Sequence, residues 1–189
     1  MDNKLHIINY LGKHIDHPFT MHELSVLLKI PYATFHRVIH HMEELVNIQT
    51  IGKAKIITLN RSHASLKHYL VIGSEEEKKE YLRKNPMISK IASELHTAHT
   101  VLLFGSYAKG SEREQSDIDL LIITRKNHEK VSFSKYELLF KKSINPIVVT
   151  SSEFLAMIRD KEENVGKQSV QNHIILNNPE FFWEMVLHG

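Results

Sequence analysis

The sequence predicts an α+β chain in two parts: a helical unit closed by a β hairpin, then a small mixed sheet with flanking helices. Three observations predict it. Residues 3–45 set apolar side chains at helical spacing, and two strand-like runs follow around Gly52-Lys53-Ala54. Residues 101–123, VLLFGSYAKGSEREQSDIDLLII, hold two apolar runs separated by a polar stretch. A third apolar run, INPIVVT, lies between two segments of helical pattern.

At the N terminus, Leu5, Ile8, Leu11 and Ile15 mark a first helix, which His17-Pro18 interrupts. Thr20 precedes Glu23 by three residues, a capping box, and Leu24, Leu27 and Leu28 form the stripe of a second helix. Ile30-Pro31 makes the turn into a third helix, with Pro31 in its first turn. That helix buries Phe35, Val38, Ile39, Met42 and Leu45. It exposes Tyr32, Thr34, His36, Arg37, His40 and His41. IQTIGKAKIITLN then reads as a hairpin.

Residues 61–100 read as helical, with Ser74 and Glu77 as a second capping box and SEEEKKEYLRK as a solvated face. Asn85-Pro86 ends that run, and Met87, Ile88, Ile91, Ala92 and Leu95 line one side of another helix. Strands follow at 100–104 and 118–124, with a short helix near 107–113 between them. KVSFSKYELLFKKS reads as a helix, with Val131, Tyr136, Leu139 and Phe140 as its apolar contacts. INPIVVT is a third strand. SSEFLAMIRD is a helix opened by capping serines, and VGKQSVQNHIILNN and PEFFWEMVL close the chain as helices. The boundary between the two parts falls between about 60 and 85, giving units at 1–60 and 86–189 joined by a helical linker at 61–85.

Composition narrows the classes. The chain has 189 residues and 42% hydrophobic content, enough for one large domain or two small ones. A net charge of +2 does not by itself announce a nucleic-acid partner. There is no cysteine, which excludes disulfides and thiolate metal sites. No apolar run approaches the length of a membrane span, and MDNKLHIINY lacks a signal-peptide core, so a soluble cytoplasmic protein with no membrane partner is expected. Of 14 histidines, nine fall in the first 68 residues. His36, His40 and His41 share a helix face, but no acidic residue or second histidine pair completes a zinc shell. They read as surface histidines, gaining charge below about pH 6.5.

Three helices and a basic hairpin resemble the winged helix-turn-helix family over residues 1–60, with PYATFHRVIHHMEEL where a recognition helix belongs. The resemblance implies a helix in the major groove of double-stranded DNA and a hairpin tip on the backbone. Tyr32, Thr34, His36, Arg37 and His40 on the helix, with Lys53 and Lys55 on the wing, are the candidate contacts. It also implies a homodimer on paired half-sites, to which Phe181, Phe182 and Trp183 could contribute, although packing within the second unit is the readier use for them. Units of this shape also serve as protein docking modules.

The sharpest signal lies in residues 101–123. An apolar run ends at Gly105-Ser106, and ten residues later Asp117-Ile118-Asp119 opens the next run. Side chains two apart on a strand point the same way, so both aspartates face one side while Ile118 enters the core. Two like charges beside an apolar run are costly without a cation. A triphosphate needs both features: backbone N–H groups for its oxygens and carboxylates to hold Mg²⁺ against it.

GSYAKGSEREQSDIDLLI resembles the DNA polymerase beta-like nucleotidyltransferase superfamily, most closely its minimal nucleotidyltransferases, over roughly residues 86–160. The resemblance implies a small mixed-sheet domain that moves a nucleoside monophosphate from a nucleoside triphosphate, ATP first among them, to a hydroxyl. It implies Asp117 and Asp119 as catalytic metal ligands for two Mg²⁺ ions, replaceable by Mn²⁺, about 4 Å apart. Gly105 and Ser106 would meet the β or γ phosphate, with Lys109 and Arg113 as further phosphate contacts. A small helical toxin encoded next door is the partner that the family suggests, with this chain as antitoxin. One position departs from the pattern. The family's third carboxylate, at the start of the third strand, falls on Asn145, and no Asp or Glu lies between Glu137 and Glu153. Three consequences stay open: Glu153 reaches in from a later helix, catalysis is slow, or the domain binds nucleotide without turnover.

Overall fold

A computed structural model describes residues 1–127 and 131–189. The chain divides into two compact units, residues 1–73 and 74–189.

The first unit contains α1 (Asn3–Lys13), β1 (Phe19–Thr20), α2 (Met21–Leu27), α3 (Tyr32–His40), β2 (Val46–Ile51), β3 (Ala54–Leu59) and the beginning of α4 (Leu66–Lys84). Ile7, Ile8, Leu11, Leu24, Phe35, Ile39, Met42, Leu45 and Ile57 form its core, each at most 1% exposed. The Thr20–Glu23 capping box is formed: Glu23 N–H donates to Thr20 Oγ1 at 3.1 Å and Thr20 N–H donates to Glu23 Oε2 at 3.3 Å. Pro31 stands just outside α3, as its N-cap. The hairpin closes through two residues, with Ile51 facing Ala54. Gly52 has φ +60°, as a two-residue turn with glycine at its first central position requires. The sheet has a third strand that the sequence reading lacks. Phe19 and Thr20 pair antiparallel with Ile57 and Ile56, giving the order β1-β3-β2.

The second unit holds the remainder of α4, then α5 (Pro86–Ser93), β4 (Thr100–Phe104), α6 (Gly105–Lys109), β5 (Ile118–Thr124), α7 (Ser134–Phe140), β6 (Ile144–Thr150), α8 (Ser151–Arg159), α9 (Val165–Gln171), β7 (Ile174–Asn177) and α10 (Pro179–His188). Its sheet runs β6-β5-β4-β7, with β5 and β6 parallel and the other neighbours antiparallel. Val101, Leu103, Ile118, Leu120 and Ile122 pack on one face with Ile88, Ile91 and Tyr136. Leu102, Leu121 and Ile123, which alternate with them, are buried too. A central strand covered on both faces explains why β5 reads as an unbroken apolar run.

Several local expectations are corrected. Ser74 caps nothing: it lies inside α4, buried, and its hydroxyl accepts the Trp183 indole N–H at 2.9 Å. A serine–glutamate pair carries the capping pattern, but tertiary packing extends the helix through it. Trp183 and Phe182 are fully buried in this unit, so they are core rather than interface. Helix α6 spans 105–109 instead of 107–113, because Gly110 takes φ +64° and ends it. Helix α7 starts only at Ser134, and Lys130, which opens the expected helix, lies outside the described residues. Helix α8 is capped by Thr150 rather than by the serines that follow it. His173 to Asn178 is not helical: Ile174–Asn177 forms β7 on the edge of β4. The β-branched pair Ile174-Ile175 suits that strand once a neighbour is present to pair with it.

Candidate active site

Topology gathers the site before any side chain is considered. An antiparallel β4–β5 pair brings the end of β4 beside the start of β5, and Phe104 pairs with Asp119. A parallel β5–β6 pair brings the two strand starts together, and Asp119 pairs with Asn145. Gly105, Asp119 and Asn145 therefore meet at one end of the three neighbouring strands, although 40 residues separate the first from the last.

Gly105 is constrained twice. Its φ is +69°, where an L side chain is strained, and a Cβ there would collide with the Asp119 carboxylate. Ser106 follows it in the first turn of α6, half-buried, where helical N–H groups lack intrahelical partners. The buried Tyr107 anchors the turn, and its carbonyl accepts the Tyr81 hydroxyl at 3.0 Å. Gly110 N–H then donates to Tyr107 O at 3.2 Å and Ser111 N–H to Ser106 O at 3.0 Å. Ser116 closes the following loop: its N–H donates to Arg113 O, and its Oγ accepts from Arg113 N–H, both at 2.9 Å. Lys142 adds a bond from its ammonium to the Glu114 carbonyl. The polar stretch between the apolar runs is thus a pinned connection that delivers Asp117 to the strand edge.

Asp117 is exposed and Asp119 half-buried. Asp119 Oδ1 accepts a hydrogen bond from Asn145 Nδ2 at 3.3 Å. Among the described residues, no lysine or arginine forms an ion pair with either aspartate. Burial, then Glu112 and Asp117, push the Tyr107 phenol above its ordinary range, so Asp117 acts electrostatically on the anchor of α6. No group of three or more His, Cys, Asp or Glu side chains gathers as a metal cage among the described residues. Two carboxylates with no protein cation nonetheless suit Mg²⁺, which commonly takes one or two carboxylates and fills its octahedron with phosphate oxygens and water.

The other named residues sit differently. Lys109 is exposed at the end of α6. Arg113 lines a cavity of about 350 Å³ together with Lys84, Tyr107, Glu112 and Lys142. Glu153 is spoken for at the far end of β6. Its Oε2 accepts from Thr150 N–H at 2.7 Å and from Thr150 Oγ1 at 2.8 Å. Thr150 is five residues beyond Asn145, roughly 17 Å along a strand. Glu153 therefore does not supply the missing carboxylate. Tyr81, which holds α6 in place through the Tyr107 carbonyl, carries no motif signal in the sequence. In the first unit, Tyr32, Arg37 and His40 are exposed on α3, with Thr34 and His36 half-buried. Lys53 and Lys55 are exposed on the hairpin. Among the described residues, no helix is long and apolar enough to cross a membrane.

The family model for the nucleotidyltransferase domain matches residues 86–177. Two curated proteins of Methanocaldococcus jannaschii, each named "Putative protein adenylyltransferase", are similar to this chain. One is 37% identical over 92 residues, covering 41% of this chain and 89% of that protein. The other is 38% identical over 73 residues, covering 35% of this chain and 73% of that protein. No solved structure matches significantly. Residues 1–85 lie outside the family match.

Proposed function

Because the chain belongs to the nucleotidyltransferase domain family, we propose that it is a Mg²⁺-dependent enzyme that moves a nucleoside monophosphate from a triphosphate to a hydroxyl acceptor. The observation that carries this reading is Gly105 against Asp119: bare backbone in a left-handed conformation, pressed to a carboxylate two residues from a second one. The names of the two relatives favour ATP as donor and a protein hydroxyl as acceptor. In the reaction the acceptor oxygen bonds to the α phosphorus, the bond from that phosphorus to the β-phosphate bridge breaks, and pyrophosphate leaves. Bound Mg²⁺ would neutralise phosphate charge and make the acceptor hydroxyl more acidic. Asp117 and Asp119 are the residues to hold it. Gly105 and Ser106 offer N–H groups to the β or γ phosphate, and Lys109 and Arg113 add positive charge nearby. Asn145 is no base, so the acceptor's proton passes to solvent rather than to a third carboxylate.

The test is calorimetry with ATP, GTP, CTP and UTP, with and without Mg²⁺, followed by transfer of labelled nucleotide. Metal-dependent binding that disappears in Asp117→Asn/Asp119→Asn is the expected result. A folded protein that binds none of the four sinks the proposal. Asn145→Asp should raise turnover at least about tenfold, below the roughly 10²–10⁴-fold that a fully positioned base contributes. An unchanged rate would remove Asn145 from the account.

A second reading is favoured by that same asparagine and by the first unit. Residues 1–60 act as a winged helix-turn-helix, α3 and the Lys53–Lys55 hairpin contact double-stranded DNA, and residues 86–189 sense nucleotide as part of a regulator or antitoxin. Fragments from the gene's own promoter should then shift at low salt, and Arg37→Ala with Lys53→Ala should weaken the shift. Absence of any sequence-selective shift counts against it.

A further inference from the structure

We propose that the exposed face of α3 carries a second metal site, in which His36 and His40 chelate a divalent transition metal such as Zn²⁺ and Glu43 orients the pair. The sequence reading sets metal aside here for want of a completing shell, and the structure supplies the geometry it lacks. Residues four apart stack on one face of a helix. The two imidazoles are turned so that His36 Nε2 and His40 Nε2 face each other at 3.2 Å, with ring centroids 4.3 Å apart. Two zinc–nitrogen bonds of about 2.0–2.1 Å at a tetrahedral angle set their nitrogens roughly 3.3–3.4 Å apart. The existing separation is thus close to that of two nitrogens on one zinc ion.

The tautomers support the same occupant. The Glu43 carboxylate bonds the other nitrogen of His40, Nδ1. An ionised carboxylate only accepts, so Nδ1 carries the hydrogen and the neutral ring presents its Nε2 lone pair to His36. His36 then donates its own Nε2–H across the gap. When the metal binds, His36 gives up its Nε2 proton to solvent and takes one up on Nδ1, so the ring stays neutral and both Nε2 lone pairs turn to one cation. A carboxylate behind a ligating histidine is the usual second-layer support of zinc ligands, fixing ring orientation and raising basicity. With no third protein ligand among the described residues, the remaining positions go to water or to a group brought by a partner. The imidazole pair selects Zn²⁺, Ni²⁺ or Cu²⁺ over Mg²⁺, which prefers oxygen, so this site and the aspartate site differ in the metals they take.

The experiment titrates the full chain with Zn²⁺ near neutral pH, in a background of Asp117→Asn/Asp119→Asn so that the other carboxylates do not contribute. One equivalent should bind, and His36→Ala or His40→Ala should each weaken it at least about tenfold. Glu43→Gln should weaken it by about tenfold as a second-layer change, and affinity should fall as pH is lowered because protons compete for the ligands. His41→Ala, on an exposed neighbour, should change nothing. Cu²⁺ loaded into the same protein should show two coupled nitrogens by electron paramagnetic resonance. Far-ultraviolet circular dichroism of each variant checks that α3 is intact. Binding that survives unchanged in His36→Ala/His40→Ala, or that falls equally in His41→Ala, overturns the proposal.

Discussion

Gly105 shows how much one position can decide. Its left-handed backbone alone would cost an L residue about 1–2 kcal/mol. Its missing side chain is also the space that the Asp119 carboxylate fills. Gly105→Ala should therefore lose at least about 1–2 kcal/mol of stability in a urea melt, the backbone cost alone, with the clash against Asp119 added to it. It should also displace Asp119 and abolish Mg²⁺-dependent nucleotide binding under conditions where the protein is still folded. Unaltered binding by the alanine variant would mean that Asp119 does not need its present position. Asp119 and Asn145 were legible as candidates from their places in the chain. Their contact was not, because it depends on the parallel register of β5 and β6.

At the scale of elements, helix ends carry the clearest consequences. Helix α2 closes with a paired motif in which Lys29 N–H donates to Val26 O at 3.1 Å and Ile30 N–H to Ser25 O at 2.9 Å. The residue at the centre of that motif must be left-handed, and here it is Lys29, at φ +54°. Helix α6 solves the same problem with Gly110. Lys29→Gly should accordingly stabilise the first unit by roughly 0.5–1 kcal/mol, relief of strain less the extra freedom of glycine in the unfolded chain. A lower melting temperature for that variant would contradict the argument. In the second unit, Glu94 ties the end of α5 to α7. Its Oε2 accepts from Lys135 at 2.7 Å and from Tyr136 at 2.9 Å, and Lys90 pairs with its other oxygen. Lys135, then Lys90 and Tyr136, hold its pKa at about 2, against 4.5 ordinarily. A depressed carboxylate contributes stability that is fully present above the unfolded value and is lost as pH falls through the folded one. Stability should thus drop between about pH 4.5 and 2, and Glu94→Gln should flatten that part of the profile.

At the scale of the molecule, the division between units falls inside α4, not at its end. Residues 74–84 belong with the second unit. Ser74 receives the Trp183 indole, Tyr81 holds α6 through Tyr107, and Tyr81 and Leu82 pack on the core. The family match begins only at residue 86. A fragment 74–189 should melt cooperatively, whereas 86–189 should be markedly less stable, with a buried indole N–H left unpaired at about 1–3 kcal/mol and two core side chains removed. Equal melting temperatures for the two fragments would show that α4 is dispensable to the sheet.

The sequence by itself determined the α+β class, the strands at 100–104, 118–124 and 144–150, the Thr20 capping box, the Gly52 hairpin and the pairing of Gly-Ser with Asp-x-Asp. These features are local: periodicity, turn chemistry and short spacings act within a few residues, so they survive in a one-dimensional reading. Tertiary structure decided the rest. It made Ile174–Asn177 a strand, because an open edge of β4 was there to receive it. It turned Ser74 from a presumed cap into a buried acceptor, and engaged Glu153 in capping α8 instead of the site. It set Asn145 on Asp119 and turned His36 toward His40. Each of these depends on which surfaces meet across the fold, a long-range condition that no local pattern encodes.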